Sequence, residues 1–496
     1  MTKLFAPTAK GFAVVFLYFI MFSFSTETKG QETFVPYKVS AKDSLNKSKV
    51  AQRFLAEKDT IRFQAKDGKK FITEQCSLRS EYIKEAIDNE MFLTGSNIDK
   101  YIQSIVAEIV AGNPVLKNRM TVLVSRDPEA NAYALGNGYV VFNVGMLTQV
   151  HSEAEIAFIL CHEFSHDILQ HGNMDIYSTA ARITDEAFIR ELKETMKEEY
   201  NTKKKVRDLL LPGLKNKRQY NRQMELQADS LGLVLLQNTG YTEDAAVTVM
   251  DVLDSIDISE DRHALDLRTY FTLEKVPAKN DWFEYDGGSS LGGGFETEKS
   301  ELEDSLKTHP DCKIRKEKLQ GMRKGTAGKK VFLQTEQAFR KMSFEAQGEL
   351  IQQMLDWYNM DYSILYALKY INDYPANSYS RAVLGMSLAF LAKEKRNLSA
   401  GKFMRLNGPD LSENMNHVVS FLLAIGPDDC GALAYWILRP FKEELKSSEI
   451  YLAALALSAY SNKANAEYEM YKTAYEVSFP DGRYQQFFPT VKTIKK

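Results

Sequence analysis

The stretch that decides the fold is residues 158–171, which read FILCHEFSHDILQH. It places a His-Glu-x-x-His pattern, from His162 to His166, inside an apolar run that favours a helix. On a helix, positions four apart share one face, so His162 and His166 can point ring nitrogens at one metal ion. Glu163 follows the first histidine directly, which is the position of a general base in such sites. The alternative is an amphipathic helix whose two histidines face solvent or a polar cavity.

A second helical segment supplies a candidate third ligand. Catalytic zinc usually takes three protein ligands and keeps a fourth position for water. Residues 222–232 read RQMELQADSLG, so Glu225 and Asp229 lie four apart on one helical face. We expect Glu225 to bind the metal and Asp229 to accept a hydrogen bond from the free ring nitrogen of a ligand histidine. The alternative is a pair of carboxylates on a solvated helix face.

These motifs resemble those of the prenyl-protease/HtpX-type zinc metallopeptidases, peptidase family M48, over about residues 95 to 320. Other segments that resemble the family are 131–134 (NAYA), 138–145 (GYVVFNVG), His171 with Gly172, and 308–310 (THP) with Arg315. Two positions depart from the family pattern. Ser165 stands where many members carry glycine. Residues 136–138 read Gly-Asn-Gly where the family usually has Pro-Gly-Gly, so the proline is missing.

The resemblance implies further site residues. His309 is expected to donate a hydrogen bond to the developing oxyanion, with Arg315 supporting it. The residues expected to lie along the substrate cleft are Asn131, Ala132, Tyr133, Gly138 and Tyr139. The strand that begins at Tyr139 is expected beside the metal helix, where an extended substrate could add to the sheet edge. An ordinary core strand after a glycine turn is the alternative.

Composition indicates a soluble, globular chain with more than one domain. Hydrophobic residues make up 44% of the 496 residues and charged residues 26%, which suits a globular protein. The length exceeds what one ordinary hydrophobic core supports. The formal net charge is −3, so the composition indicates no nucleic-acid-binding surface.

Residues 1–25 have the pattern of a secretory signal peptide. Lys3 and Lys10 precede an apolar run that ends in small residues near Ser25. The run is shorter than the roughly 20 residues that a membrane-spanning helix needs. With no second apolar span, the sequence resembles the soluble, exported branch of the family. We therefore expect a periplasmic protein, and an uncleaved N-terminal membrane anchor is the alternative.

The remaining chain divides into two predicted domains. Residues 26–328 are expected to form an α+β zincin-type metallopeptidase domain, mainly helical, with a helix over 97–111 and short strands over 120–124 and 139–144. Over residues 329–496, helix-compatible apolar patterns come in pairs that resemble tetratricopeptide hairpins. The alternative is a non-repetitive helical cap. Either arrangement would offer a concave surface to peptides or to an envelope protein partner.

Some features receive weaker interpretations. The apolar run within 203–213 could cover the cleft as a lid, and the glycine-rich residues 286–294 could form a flexible loop that moves His309. Cys161 is interpreted as a small buried residue, and the pairing of the four cysteines stays open. His171 receives no metal role, because its helical phase differs from that of the two ligand histidines.

The sequence alone thus favours a zinc-dependent metalloendopeptidase of the cell envelope, with Zn²⁺ as cofactor and misfolded or misassembled exported proteins as substrates. His162, His166 and Glu225 would hold the zinc, and Glu163 would deprotonate its water. The alternative is a periplasmic chaperone or scaffold whose metallopeptidase site is latent or blocked.

Overall fold

The structure is a computed structural model. It describes residues 34–38, 49–53, 55–56, 61–196, 221–256, 264–284, 312–325, 328–375, 377–409, 411–441 and 448–489. The predicted signal peptide (1–25), lid (203–213) and glycine-rich loop (286–294) lie outside the described residues, as does His309.

The N-terminal part combines helices with a small sheet. Its strands are β1 (Thr121–Ser125), β2 (Ala132–Gly136) and β3 (Tyr139–Asn143). Its first helices are α1 (Lys66–Asp88), α2 (Asn97–Gly112), α3 (Val144–Leu147), α4 (Glu153–Ile168), α5 (His171–Ile183) and α6 (Glu186–Met196). They are followed by α7 (described over 221–237), α8 (Ala245–Asp254), α9 (Leu267–Phe271) and α10 (Cys312–Met322). The predicted helix over 97–111 is therefore present as α2.

In its described residues, the C-terminal part consists of helices joined by turns and loops. Its helices are α11 (Glu336–Asp356), α12 (Met360–Asp373), α13 (Ser378–Arg396), α14 (Glu413–Ala424), α15 (Pro427–Leu438), α16 (Glu449–Ser461) and α17 (Asn465–Ser478). Short 3₁₀ turns are Pro114–Leu116, Asn280–Phe283, Ala400–Lys402, Arg439–Phe441 and Gln485–Phe487. The predicted fold class, an α+β domain followed by an all-α part, is confirmed.

The sheet has the strand order β1-β3-β2, with β1 parallel and β2 antiparallel to β3. All five residues of β3 are buried, and both of its backbone edges are paired. The strand that begins at Tyr139 therefore cannot accept a substrate strand, and its predicted place at the sheet edge is wrong. The edge nearest the metal helix belongs to β2, a strand that the sequence pattern did not predict.

The turn between β2 and β3 requires glycine. Gly136 has φ +100°, Asn137 has φ 53° and Gly138 has φ 77°. A Cβ at Gly138 would lie 1.8 Å from the carbonyl oxygen of Arg119. Proline, whose ring holds φ near −65°, cannot adopt the conformation of Gly136. The departure from the family's Pro-Gly-Gly therefore accompanies a left-handed turn that only glycine and asparagine adopt readily.

The core of the N-terminal part lies between the sheet and the helices α2 and α4. Ser96 caps α2 by accepting from the backbone N–H of Asp99, and Ser152 caps α4 by accepting from the N–H of Glu155. The helix α2 buries one apolar stripe, whereas α4 is buried around most of its circumference. The fold thus places the metal helix inside the domain, where its polar side chains must find partners.

The C-terminal helices pack around α13. A Cβ at Gly385 of α13 would lie 2.7 Å from the side chain of Leu438, so small size lets α15 approach closely. The Ser461 hydroxyl of α16 donates to the carbonyl oxygen of Ala389 at 2.8 Å. Cys430 is buried, as are the other three cysteines, Cys76, Cys161 and Cys312.

The helix α11 belongs to the cores of both parts. Phe339 and Leu350 pack with the sheet and α4, whereas Ile351 and Leu355 pack with α12 and α13. The predicted domain boundary at residue 328 lies just before this shared helix. The two parts are therefore joined by a helix whose buried apolar residues belong to both cores.

A buried ion pair reinforces the same junction. Arg126, which follows β1, lies 3.4 Å from Glu349 of α11, and each side chain is 3% exposed. Glu349 also accepts from the backbone N–H of Tyr37 at 2.6 Å. Because both charges are removed from water, each depends on the other for stabilisation.

Within the described part of the chain, no single helix has both the length and the apolar composition of a membrane span. The pair Glu413–Ala424 and Pro427–Phe441 reaches that composition only when taken together, and it is bent by 115°.

We expect Glu349→Ala to lower the free energy of unfolding by about 3–5 kcal/mol, because it leaves the Arg126 guanidinium buried without its counter-ion. The double variant Arg126→Met/Glu349→Leu should recover most of this loss, since it removes both charges. Urea denaturation measures both variants. Equal destabilisation of the single and double variants would contradict a role for the charge pair.

Candidate metal centre

The two predicted ligand histidines lie one turn apart on α4. His162 is 8% exposed, and its Nε2 lies 3.1 Å from the Nε2 of His166. Both Nε2 atoms face a cavity of about 310 Å³ beside the sheet. The buried helix therefore directs two imidazole nitrogens to one point, as the four-residue spacing predicted.

Glu225 of α7 reaches the same point from the opposite side. Its carboxylate oxygens lie 3.5 Å from His162 Nε2 and 3.3 Å from His166 Nε2. Close packing of α7 on α4 makes this possible, since a Cβ at Gly232 would lie 3.0 Å from the backbone nitrogen of His162. Gly232 was not singled out from sequence, although its spacing from Glu225 and Asp229 places it on the same helical face.

The three donor atoms fit a small divalent metal ion. They all lie within 4.8 Å of one another, and no other such group occurs among the residues that the structure describes. Atoms bound to zinc at about 2.0–2.1 Å in a tetrahedron lie about 3.3 Å apart. The two imidazole nitrogens lie 3.1 Å apart, one Glu225 oxygen lies 3.5 Å from His162 and the other lies 3.3 Å from His166, and these distances are close to that spacing. Two imidazoles and one carboxylate are also a common donor set of catalytic zinc sites.

Asp229 and Arg315 contact the side chains of the metal ligands. Asp229 is 1% exposed, and its Oδ1 lies 3.0 Å from His162 Nδ1. The Arg315 guanidinium of α10 donates to both Asp229 oxygens at 2.7 Å. Its third nitrogen lies 3.1 Å from Glu225. Arg315 therefore contacts two carboxylates of the metal centre, those of Asp229 and Glu225. The family resemblance had instead suggested that Arg315 supports an oxyanion.

The charges around the imidazoles favour a bound cation. Burial raises the pKa of Glu225, but His162, His166 and Arg315 outweigh it and hold that pKa well below its ordinary value. Burial lowers the pKa of His162, but Asp229 and Glu225 outweigh it and raise the pKa to about 10. The ligand carboxylate is thus ionised, and the imidazoles lie in a negative field.

Glu163 lies beside the donor set without joining it. One of its oxygens accepts from the backbone N–H of Ala134 in β2 at 2.8 Å, and the other lies 4.0 Å from His162 Nε2. Burial raises the pKa of Glu163, and the neighbouring imidazoles only partly oppose this effect. A carboxylate held in place with a raised pKa is suited to accept a proton from a nearby water.

His171 contacts one of the ligand histidines. Its Nδ1 lies 3.0 Å from His166 Nδ1, and its Nε2 lies 3.2 Å from the side-chain oxygen of Gln227. If His166 held a metal through Nε2, its Nδ1 would carry the proton and donate to His171. The contact arises because Gln170 has φ 58°, which ends α4 and starts α5 in a new direction.

The predicted substrate residues separate into two groups. Asn131, Ala132 and Tyr133 line the cavity that holds the metal ligands. The backbone N–H of Gly138 donates to Asp167 at 2.9 Å, and Tyr139 is buried in the core beneath the sheet. Gly138 and Tyr139 are therefore not part of the cavity lining, because β3 is the central strand. The predicted role of His309 cannot be located, since that residue lies outside the described ranges.

We expect His162→Ala and Glu225→Ala to lose the bound metal, because each removes one of three ligands. Elemental analysis of the purified protein measures the metal content. Glu163→Gln is the matched control and should retain metal at the wild-type stoichiometry. A Glu225→Ala protein that holds metal normally would show that the third ligand is a different residue.

We expect His171→Ala to weaken zinc binding by about 10–100-fold, because His166 loses the acceptor that orients its ring. His171→Asn should restore much of the affinity, since the asparagine oxygen can accept the same hydrogen bond. Competitive titration against a chromogenic chelator measures the dissociation constants. Wild-type affinity in His171→Ala would remove this positioning role.

Comparison with known proteins agrees with the geometry. The profile of peptidase family M48 matches residues 96–323. The chain is similar to two proteins named mitochondrial metalloendopeptidase OMA1. The Arabidopsis thaliana protein is 29% identical over 140 residues, 27% of this chain and 26% of the relative. The Schizosaccharomyces pombe protein is 26% identical over 155 residues, 31% of this chain and 44% of the relative.

A third relative is a bacterial protein. The putative beta-barrel assembly-enhancing protease of Vibrio cholerae is 23% identical over 166 residues, 33% of this chain and 34% of the relative. The matches thus span less than half the length of each of these relatives. The profile match contains both metal helices and Arg315, and it shows that residues 96–323 are similar to peptidase family M48.

Proposed function

We propose that this chain is a zinc-dependent metalloendopeptidase of the cell envelope that hydrolyses misfolded or misassembled exported proteins. The observation that carries the proposal is the convergence of His162, His166 and Glu225 next to a carboxylate and a free strand edge. The similarity of residues 96–323 to peptidase family M48 supports a metal-dependent peptidase. The donor set supports zinc as the metal.

The chemistry follows from the residues around the ligands. A zinc ion held there would supply a Lewis acid that activates water and polarises the scissile carbonyl. Glu163 takes the proton of the attacking water and passes it to the leaving amine. Its hydrogen bond to the Ala134 backbone fixes the carboxylate while that transfer occurs. Asp229 and Arg315 hold the ring of His162 and the carboxylate of Glu225 in place.

The edge strand β2 positions the substrate. Its outer edge lies along the cavity that contains the ligands, and Ala132, Tyr133 and Ala134 line that cavity. An extended peptide that pairs with β2 would carry its backbone past Glu163. Main-chain pairing binds many sequences, which suits an enzyme that acts on proteins that are misfolded rather than on one sequence.

A site that solvent reaches supports catalysis over a blocked site. The side chain of Glu225 is 26% exposed and that of His166 is 17% exposed. Water and substrate therefore have access to the ligands. The alternative function, a chaperone or scaffold with a latent site, remains an outcome of the experiment below.

The envelope location rests on two supports. The N-terminal sequence pattern predicts export to the periplasm, with an uncleaved membrane anchor as its alternative. One relative is named for enhancement of beta-barrel assembly. The C-terminal helices would offer a surface to an envelope protein partner.

We expect Glu163→Gln to lower casein degradation by about 10²–10⁴-fold, because the general base is lost while the ligands stay intact. Wild-type activity should disappear with a zinc chelator and return with added zinc. Glu74→Gln, the same change on the exposed surface of α1, is the control and should degrade casein normally.

Two results would contradict the proposal. Full activity in Glu163→Gln would show that Glu163 is not the general base. A wild-type protein that binds zinc stoichiometrically but leaves casein and peptide libraries intact would favour the chaperone or scaffold.

A further inference from the structure

A second cavity, of about 510 Å³, lies where the two parts of the chain meet. We call it the interdomain pocket, and its N-terminal wall is the segment 127–130 that leads into β2. Its opposite wall comes from α11, α12 and Arg405. The volume falls within the roughly 300–1,000 Å³ that is usual for ligand sites, and cavities between domains are frequent binding sites.

The wall formed by the C-terminal helices is aromatic. Tyr362 and Tyr366 lie one turn apart on α12 and stack with ring centroids 5.6 Å apart. Trp357, which ends α11, lines the same pocket and is 44% exposed. Aromatic side chains that line a concavity give a large contact area at low entropic cost, and they are enriched at binding surfaces.

Arg405 holds the ring of Tyr362 in position. The Arg405 guanidinium lies 4.3 Å from the centre of the Tyr362 ring. The same guanidinium lies 3.0 Å from the carboxylate of Asp361, which is fully buried. The aromatic wall is therefore held in place before any ligand arrives, which lowers the entropic cost of binding.

The pocket carries a negative charge. Its carboxylates are Asp127, Glu129 and Asp373, and its cations are Lys369 and Arg405. The charge of Arg405 is matched by Asp361, which leaves three carboxylates against one lysine. An occupant with positive charge is therefore favoured over one with negative charge.

The interdomain pocket continues the metal cleft along one stretch of chain. Residues 127–130 line the pocket, and residues 131–134 line the metal cleft. Burial raises the pKa of the Tyr133 hydroxyl, and the charges of Asp127 and Glu129 raise it further. The pocket's carboxylates thus act electrostatically on a residue of the metal cleft.

A smaller cavity continues the cleft at the other end of β2. It measures about 190 Å³ and is lined by residues 134–136 together with His166 and Asp167. Three cavities therefore follow one another along residues 127–136, with the metal ligands in the middle one. This is the arrangement that an extended peptide bound to the strand edge would need.

The chain between the pocket and Glu163 limits which substrate residue can reach the pocket. Ala134 holds the general base, and Ala130 lines the interdomain pocket four residues earlier. Residues 129 and 130 bend ahead of β2, and the backbone N–H of Asn131 donates to the carbonyl oxygen of Glu129 at 2.8 Å. A peptide cleaved beside Glu163 would thus place a residue several positions from the scissile bond, on one side, in the pocket.

We propose that the interdomain pocket is a substrate subsite, which binds an aromatic or large apolar side chain with an adjacent positive charge several residues to one side of the scissile bond. The proposal rests on the proposed peptidase function. It assigns a specificity role to the C-terminal helices, because one wall of the subsite belongs to α11 and α12.

A comparison of two peptides tests the subsite. A fluorogenic short peptide spans three residues on each side of a bond that the protein cleaves in casein. The long peptide extends the same sequence at both ends with tryptophan and lysine. We expect the ratio of kcat/KM, long over short, to fall about tenfold in Trp357→Ala and in Glu129→Lys. Peptides extended at only one end identify the side that enters the pocket.

The controls make equivalent changes outside the pocket. Met470→Ala shortens an exposed side chain of α17, and Glu274→Lys reverses an exposed charge. Both should keep the wild-type ratio. A ratio that is unchanged in Trp357→Ala and Glu129→Lys, or that falls equally in the controls, would overturn the subsite.

A binding measurement separates this proposal from the peptidase function. The anisotropy of the labelled long peptide is followed with Glu163→Gln protein, which leaves the peptide uncut. Adding Trp357→Ala should weaken binding about tenfold. If the wild-type protein cleaves no peptide but this loss occurs, the peptidase function fails and the pocket stands as a peptide site. If the affinity is unchanged, the interdomain pocket is not a substrate subsite, even if the protein cleaves the peptide.

Discussion

The metal centre depends on one buried ion pair, the fork between Arg315 and Asp229. The two residues are 86 positions apart in sequence, and together they join α10 to α7. Asp229 in turn contacts the ring of His162, which adds α4 to the same network. Removing two charges from water is costly, so the network is stable only when every partner is in place. The geometry of the metal ligands is therefore coupled to the packing of three helices.

The same network determines the charge of the site. Arg315 also faces Glu225, and its charge helps to keep that ligand ionised despite burial. A metal ligand must be deprotonated to bind, so a guanidinium behind the carboxylate favours metal over proton. Glu163 accepts instead from the backbone N–H of Ala134, and burial raises its pKa. Two neighbouring carboxylates thus have pKa values shifted in opposite directions because their surroundings differ.

A short edge strand connects this chemistry to the rest of the molecule. The backbone of β2 holds Glu163 on one side and leads into the interdomain pocket at its N-terminal end. The far wall of that pocket belongs to α11, which lies in the cores of both parts. Any shift of the C-terminal helices would therefore change the shape of the substrate path, although no residue of those helices contacts the metal ligands.

The sequence by itself determined what depends on local spacing. His162, His166, Glu163 and the pair Glu225 and Asp229 follow from four-residue periods on single helices, and such periods can be read without knowing the fold. The helices of the C-terminal part follow from the same kind of pattern.

Tertiary structure alone decided which strand is the edge. β2 contains alanine and glycine and is mostly half-buried, so it shows neither the alternation nor the β-branched residues that predict a strand. Among the described residues, β2 pairs only with β3, which leaves its outer edge unpaired there. The contact between His171 and His166 depends on a single left-handed residue that changes the direction of the chain between two helices. The role of Arg315 and the interdomain pocket arise from contacts between distant segments, and such contacts leave no periodic signal in the sequence because they depend on how whole helices pack.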